Sequence, residues 1–143
     1  MDVKEKERVC SGLPQSVRRG AARILVVEDE AIIAMDLAAT LRNQGCVVIG
    51  TTSTGEDSIA LAGAGRPDLV IMDIRLRGSM NGLEAARVIK ARWGIPVVFM
   101  TAYGEEFLPG RLVPENGPPR VIKPFTESDI ALVLSRYLPR SNN

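Results

Sequence analysis

At 143 residues, the chain has the length of one domain and can bury most of its apolar surface without disulfide or metal crosslinks. Apolar residues make up 45% and charged residues 24%, proportions that exclude a chain disordered throughout. The net charge is +1, and six of the 18 basic residues fall within the first 23 positions, so the remainder lacks the concentrated basic face of a duplex-binding domain and we expect no nucleic-acid partner.

The chain begins with a polar stretch, Met1–Ala22, that is broken by glycine and proline and shows neither helical nor alternating periodicity. We expect residues 1–22 to form a flexible tail, residues 23–139 to form one folded domain, and residues 140–143 to form a short C-terminal tail.

Five short apolar runs rich in β-branched residues follow, and helical segments separate most of them. The predicted strands are Ile24–Val27, Val47–Thr51, Leu69–Met72, Pro96–Met100 and Arg120–Ile122. All five are apolar enough for burial on both faces of a parallel sheet. Strands that alternate with helices predict right-handed βαβ units, and therefore a doubly wound α/β sandwich of three layers.

Four helices are predicted from apolar periodicity and capping residues. The first, Ala31–Asn43, carries one apolar stripe and stops before Gly45. We expect the second to end near Gly63 and the third to cover Leu83–Arg92. The second, third and fourth helices start at capping residues that have an acid three positions later, namely Thr54, Asn81 and Thr126.

The alternation breaks between the fourth and fifth strands. Six proline and glycine residues fall between positions 109 and 119, so at most a short helical turn survives around Glu105–Leu108. We expect a mobile surface loop from Gly104 to Pro119.

The cysteines and the apolar runs indicate the setting of the protein. Cys10 and Cys46 are far apart, which favours neither a zinc site nor a disulfide framework. Charges interrupt the apolar runs well before the roughly 18 residues of a membrane span, and the N-terminus is charged where a signal peptide is apolar. We expect a cytoplasmic protein with no membrane partner.

Chemically capable side chains stand at the ends of four predicted strands. They are Glu28, Asp29, Asp73, Thr101 and Lys123. The carboxyl ends of the strands form the site in an open parallel sheet. The chain has no histidine, so its chemistry depends on carboxylates, hydroxyls or amines. Clustered carboxylates repel one another unless a cation such as Mg²⁺ neutralises them, and the bound cation can draw a phosphoryl group onto one of them.

Each of these residues alone has an ordinary explanation. Glu28 and Asp29 can favour the start of the first helix through its dipole. Asp73 can end a strand in a turn, Thr101 can be a plain strand residue, and Lys123 can be a surface lysine. Their joint placement on four strand ends of one sheet favours a shared site.

The segments that carry these residues resemble the signature positions of response-regulator receiver domains, in the family's order. They are ILVVEDE, DLVIMDIRL, the threonine after VVFM, and VIKPF, and the resemblance covers Arg23–Leu138. It implies a flavodoxin-like receiver domain over residues 23–139, with strand order 2-1-3-4-5. It also implies that Asp73 is the phosphoacceptor and that Asp29, Asp73 and the Arg75 backbone carbonyl bind Mg²⁺. Glu28 assists through a water, and the family's remaining signature residues, Thr101 and Lys123, hold the phosphoryl oxygens.

Two positions depart from the common receiver pattern. The segment IRLRGSMNG lacks the usual Met-Pro after the phosphoacceptor, and its Gly82 comes one residue late. Arg120 stands where receivers usually carry the aromatic residue that moves on activation. The run FMTAYG, followed by a proline-rich loop and KPF, resembles the subgroup named for its Phe-Ala-Thr-Gly-x-Tyr motif, in which the fourth helix is reduced or disordered. Tyr103 is then the candidate moving aromatic; the alternative is a ring packed at the edge of the site without switching.

The resemblance implies a two-component phosphorylation switch rather than an enzyme with a separate substrate. Asp73 takes its phosphoryl group from a sensor histidine kinase or a histidine phosphotransfer protein, and the switch signals by changed binding to a downstream effector protein. We expect a monomer or weak dimer. Only 18 residues follow Phe125, so we expect the output in another protein, unless this chain is cut from a longer one. Two alternatives stay open: a binding module that works without phosphorylation, and a small-phosphoester hydrolase, which needs an acid where Arg75 stands.

Overall fold

The computed structural model describes residues 20–102 and 119–138. Several predictions therefore lie outside the described residues. They are most of the 1–22 tail, Tyr103, the 104–119 loop apart from its last residue, the reduced helix expected between the fourth and fifth strands, and the 140–143 tail.

One parallel sheet of five strands forms the centre of the described residues. The strands are β1 (Arg23–Val27), β2 (Val47–Thr52), β3 (Leu69–Asp73), β4 (Val97–Ala102) and β5 (Arg120–Lys123). Their order across the sheet is β2-β1-β3-β4-β5. The doubly wound fold and the strand order implied by the resemblance are both confirmed. Asp73 and Lys123 are the last residues of their strands, and Thr101 is the last but one.

Four helices within the described ranges flank the sheet. They are α1 (Ala31–Asn43), α2 (Gly55–Gly65), α3 (Gly82–Trp93) and α4 (Glu127–Tyr137). The capping predictions are confirmed: the Thr54 hydroxyl accepts a bond from the Asp57 N–H at 3.1 Å, and reciprocal capping boxes start α3 at Asn81 and α4 at Thr126. The end predicted for α2 was two residues early. None of these helices is both long and apolar enough to cross a membrane.

Alternate residues of the central strands supply two separate apolar cores. On β1, Ile24 and Val26 pack with the buried residues of α1 and α4, whereas Leu25 and Val27 pack with those of α2 and α3. Side chains alternate faces along a strand, so each face of the sheet is covered by two helices. This packing holds the carboxyl ends of β1 and β3 in fixed register, with Val27 opposite Met72.

The prediction that all five strands are buried on both faces was wrong for β2 and β5. Val47 is 46% exposed and Ile122 is 37% exposed, whereas β3 is buried along its whole length. The reason is the strand order, which places β2 and β5 at the two edges of the sheet.

Candidate functional site

The carboxylates of Glu28, Asp29 and Asp73, here called the acidic cluster, converge at the carboxyl edge of the sheet. β1 and β3 are neighbours in register, so the residues that follow Val27 stand beside the end of β3. One carboxylate oxygen from each member lies within 4.8 Å of the others. Glu28 is 3% exposed and Asp73 is 6% exposed, so two of the charges are largely withdrawn from water.

Lys123 brings a positive charge to this cluster from the edge strand. Its Nζ lies 3.1 Å from Glu28 Oε1 and 3.2 Å from Asp73 Oδ2. Its side chain is 17% exposed. The amine therefore bridges the two buried carboxylates, and the sheet order β3-β4-β5 sets the span that the side chain crosses.

The electrostatics of Glu28 and Lys123 follow from this burial. Loss of hydration raises the pKa of Glu28 to about 7, and the negative charge of Asp73 adds to the rise against the lowering effect of the Glu30 N–H and Lys123. Burial alone would lower the pKa of Lys123, but the charges of Asp73 and Glu28 outweigh it and raise that pKa above its ordinary value. Lys123 is therefore an ammonium at neutral pH, and the Glu28 carboxylate is readily protonated near that pH.

Backbone amides orient the two buried acids. The Arg75 N–H donates to Asp73 Oδ1 at 3.0 Å, and the Glu30 N–H donates to Glu28 Oε2 at 3.0 Å. Helix capping does not explain the acids that precede α1: in the described residues the N-cap Glu30 makes no side-chain capping bond, and the first turn of α1 contains no acid.

A small cleft of about 230 Å³ opens over the Asp73 side of the cluster. Within the described residues, seven residues line it: Asp29, Glu30, Asp73, Arg75, Arg77, Ala102 and Lys123. An approaching group therefore has a route to Asp73. Thr101 is 2% exposed and directly follows Met100, the residue paired with Asp73 across β3 and β4.

Sequence reasoning brought the acids and Lys123 together, but it missed the role of Arg77 and, although it singled out Gly82, it did not predict how closely that residue approaches Asp73. Arg77 Nε lies 3.1 Å from Asp29 Oδ2, and the only sequence signal was a second arginine two positions after Arg75. Gly82 starts α3 so close to β3 that a Cβ there would lie 2.4 Å from the Asp73 carbonyl oxygen. Its signal was a glycine directly after the helix cap Asn81.

A family model described as the response regulator receiver domain matches residues 24–135. The chain belongs to this receiver family. The match includes every member of the acidic cluster, Thr101 and Lys123, so the receiver signature and the converging side chains coincide.

Two curated relatives are similar to most of this chain. Transcriptional regulatory protein PdtaR of Mycobacterium tuberculosis is 37% identical over 119 residues, which cover 80% of this chain and 58% of that protein. Phyllosphere-induced regulator PhyR of Methylorubrum extorquens is 37% identical over 121 residues, which cover 82% of this chain and 44% of that protein. The chain thus spans about half the length of these relatives.

A solved receiver structure has the same fold. The PhyR receiver domain of Erythrobacter litoralis, determined by solution NMR, superposes with a TM-score of 0.72 at 30% identity, covering 87% of this chain and 98% of that one.

Proposed function

We propose that this receiver domain is a phosphorylation switch in which Asp73 accepts a phosphoryl group from a phosphohistidine. The single observation that carries the proposal is the acidic cluster with the Lys123 ammonium bridging Glu28 and Asp73 at 3.1 and 3.2 Å. A phosphoryl acceptor needs an accessible carboxylate beside cations that offset the charge of the transferred group, and this edge of the sheet has that arrangement.

The donor set of the cluster fits a hard divalent cation such as Mg²⁺. Its carboxylate oxygens lie within 4.8 Å of one another, and hard divalent cations prefer such oxygen ligands. Burial raises the pKa of Glu28 and the charge of Asp73 raises it further, so a second cation at the cluster would stabilise the charged carboxylates. Asp29, Asp73 and the Arg75 carbonyl would hold the ion, and Glu28 would assist through a water. When bound, Mg²⁺ neutralises charge on the phosphoryl oxygens and on the acceptor.

The residues of the chain divide the remaining work. In the transfer, the P–N bond of the donor phosphohistidine breaks and a P–O bond to the Asp73 carboxylate forms. Lys123 already touches Asp73 and can turn its ammonium to a phosphoryl oxygen, while the Thr101 hydroxyl can donate a hydrogen bond to another. Slow attack of water on the acyl phosphate would return the domain to its starting state.

We propose a sensor histidine kinase or a histidine phosphotransfer protein as donor and an effector protein as the downstream partner, acting in the cytoplasm. Membership of the receiver family supports a phosphohistidine donor of this kind. Tyr103 is the proposed moving aromatic, because Arg120 occupies the usual position and the FMTAYG run resembles the Phe-Ala-Thr-Gly-x-Tyr subgroup.

Intact-mass measurement tests the proposal. The full chain is incubated with acetyl phosphate and Mg²⁺, and the expected result is a labile gain of one phosphoryl group that disappears in Asp73→Asn and on chelation of the metal. Asp36→Asn, an exposed aspartate of α1, is the matched control and should gain the group like the wild type. An unmodified wild type would favour a binding module that works without phosphorylation.

A further inference from the structure

The side chain of Arg77 forms an ion pair with Asp29, the member of the acidic cluster that Lys123 does not bridge. Arg77 Nε lies 3.1 Å from Asp29 Oδ2, whereas Lys123 forms its ion pairs with Glu28 and Asp73. The Arg77 side chain is 75% exposed and that of Asp29 only 14%. The guanidinium therefore reaches from solvent to the rim of the cluster.

The backbone around Arg77 is held in place, so this contact is built into the loop between β3 and α3. Arg77 forms an isolated backbone bridge with Thr54, the N-cap of α2. Two residues later, the Ser79 hydroxyl donates to Glu56 Oε2 at 2.9 Å. Between them Gly78 adopts a φ of +99°, which a glycine takes without steric cost. These contacts anchor the base of the Arg77 side chain beside Asp29.

We propose that Arg77 competes with the divalent cation for Asp29 and so weakens the affinity of the site for Mg²⁺. This inference rests on the proposed function, which makes Asp29 a metal ligand. A cation bound to Asp29 would share this carboxylate with the guanidinium of Arg77, and two positive charges that share one carboxylate repel each other. Arg77 and Lys123 each bring a positive charge to the acidic cluster, Arg77 at Asp29 and Lys123 at Glu28 and Asp73. Removing Arg77 makes the site more negative by one unit.

The exposure of Arg77 fixes the size of the effect. Solvent screens an ion pair that is largely exposed, so the expected change in Mg²⁺ affinity is about two- to five-fold. The effect is electrostatic, so it should shrink when salt shortens the screening length. A competing guanidinium therefore sets the Mg²⁺ concentration at which the switch becomes competent.

Calorimetric titration of the full, metal-stripped chain with Mg²⁺ alone tests the inference. Arg77→Ala and Arg77→Gln should bind Mg²⁺ more tightly than the wild type, and the gain should narrow in about 0.5 M salt. Arg136→Ala is the matched control: it removes an exposed arginine from the last turn of α4, a helix that runs away from the site, and should leave the affinity unchanged.

The outcomes separate this inference from the proposed function. An affinity in Arg77→Ala that equals or falls below the wild-type value overturns the competition. If the wild type binds Mg²⁺, Asp29→Asn loses it, and Arg77→Ala changes nothing, only the inference about Arg77 fails. A wild type that binds no Mg²⁺ at all overturns both the inference and the metal site of the proposed function.

Discussion

The Nζ of Lys123 lies 3.2 Å from Oδ2 of Asp73, although the two residues come from strands that are separated by β4. The same amine contacts Glu28 at 3.1 Å. A cation held between two buried carboxylates stabilises their charged forms, and in the proposed function the same cation would contact an incoming phosphoryl oxygen. The stability of the fold and the chemistry of the site are therefore linked through one side chain.

Replacing Lys123 should cost stability as well as activity. Lys123→Met keeps much of the side-chain volume but leaves two buried carboxylates without their ammonium, so we expect a loss of about 2–4 kcal/mol in the free energy of unfolding at pH 8 without metal. Urea denaturation measures it. Lys90→Met, an exposed lysine of α3, is the control and should change little. Equal stability of wild type and Lys123→Met would contradict the buried ion pair.

The raised pKa of Glu28 predicts a pH dependence of folding. Its pKa is about 7 in the folded protein against an ordinary 4.5, so the folded state binds the proton more tightly. Its contribution to stability is present in full below pH 4.5 and is lost as the pH rises through about 7. In chelator at pH 8, Glu28→Gln should therefore be more stable than the wild type by about 1–3 kcal/mol.

The extra stability of Glu28→Gln over the wild type should decrease as the pH is lowered towards 5, because the wild-type Glu28 carboxyl is then protonated. Glu127→Gln, which removes an exposed carboxylate from the first turn of α4, serves as control and should show no such change between the two pH values. A Glu28→Gln variant that is less stable than the wild type at pH 8 would show that burial does not dominate the charge of Glu28.

Divalent metal should stabilise the fold through the acidic cluster. A ligand that binds only the folded state adds about 2.7 kcal/mol to the free energy of unfolding when its concentration is one hundred times its Kd. Mg²⁺ should therefore raise the melting temperature of the wild type above the value measured in chelator. Thermal melts followed by circular dichroism measure the shift. The shift should be abolished in Asp29→Asn and kept in Asp36→Asn. A full shift in Asp29→Asn would remove Asp29 from the metal site.

A side chain at Gly82 should displace the backbone of Asp73, because α3 starts very close to the end of β3. An added Cβ would lie 2.4 Å from the Asp73 carbonyl oxygen, which is backbone and cannot move aside cheaply. Gly82→Ala should lower the free energy of unfolding by about 1–3 kcal/mol and slow phosphoryl acceptance.

Gly63→Ala is the control that distinguishes a general loss of stability by steric crowding from a displacement of Asp73. A Cβ at Gly63 would meet the Trp93 ring at 2.7 Å, away from the acidic cluster. It should cost stability and leave the rate of phosphoryl acceptance, measured by intact mass over time, unchanged. Rates reduced equally in both variants would contradict a specific effect of Gly82.

Most elements of the fold could be predicted because their signals are local. Buried strands with β-branched residues and the caps at Thr54, Asn81 and Thr126 each depend on a few adjacent residues. The order of the strands is not local. Val47 and Ile122 look as apolar in sequence as the residues of β3, so local pattern predicted burial for them. Their exposure follows from the strand order, which places β2 and β5 at the edges of the sheet.

Some features of the site could likewise be predicted from local sequence signals, and others could not. Residues at parallel strand ends share one edge of the sheet, so the convergence of the acidic cluster and Lys123 could be predicted from the strand assignments. The contact of Arg77 with Asp29 and the approach of Gly82 to Asp73 depend on the path of the loop between β3 and α3. That path is set by contacts with Thr54 and Glu56, which are distant in the sequence.

Chemical trapping of the modified residue tests the phosphoacceptor assignment most directly. An acyl phosphate on a carboxyl group is reduced by borohydride to an alcohol, and peptide mapping by tandem mass spectrometry then locates the reduced side chain. After treatment with acetyl phosphate, we predict that the reduction maps to Asp73 alone and requires Mg²⁺. Reduction at Glu28 or Asp29, or a yield that is the same in chelator, would contradict a magnesium-dependent switch at Asp73.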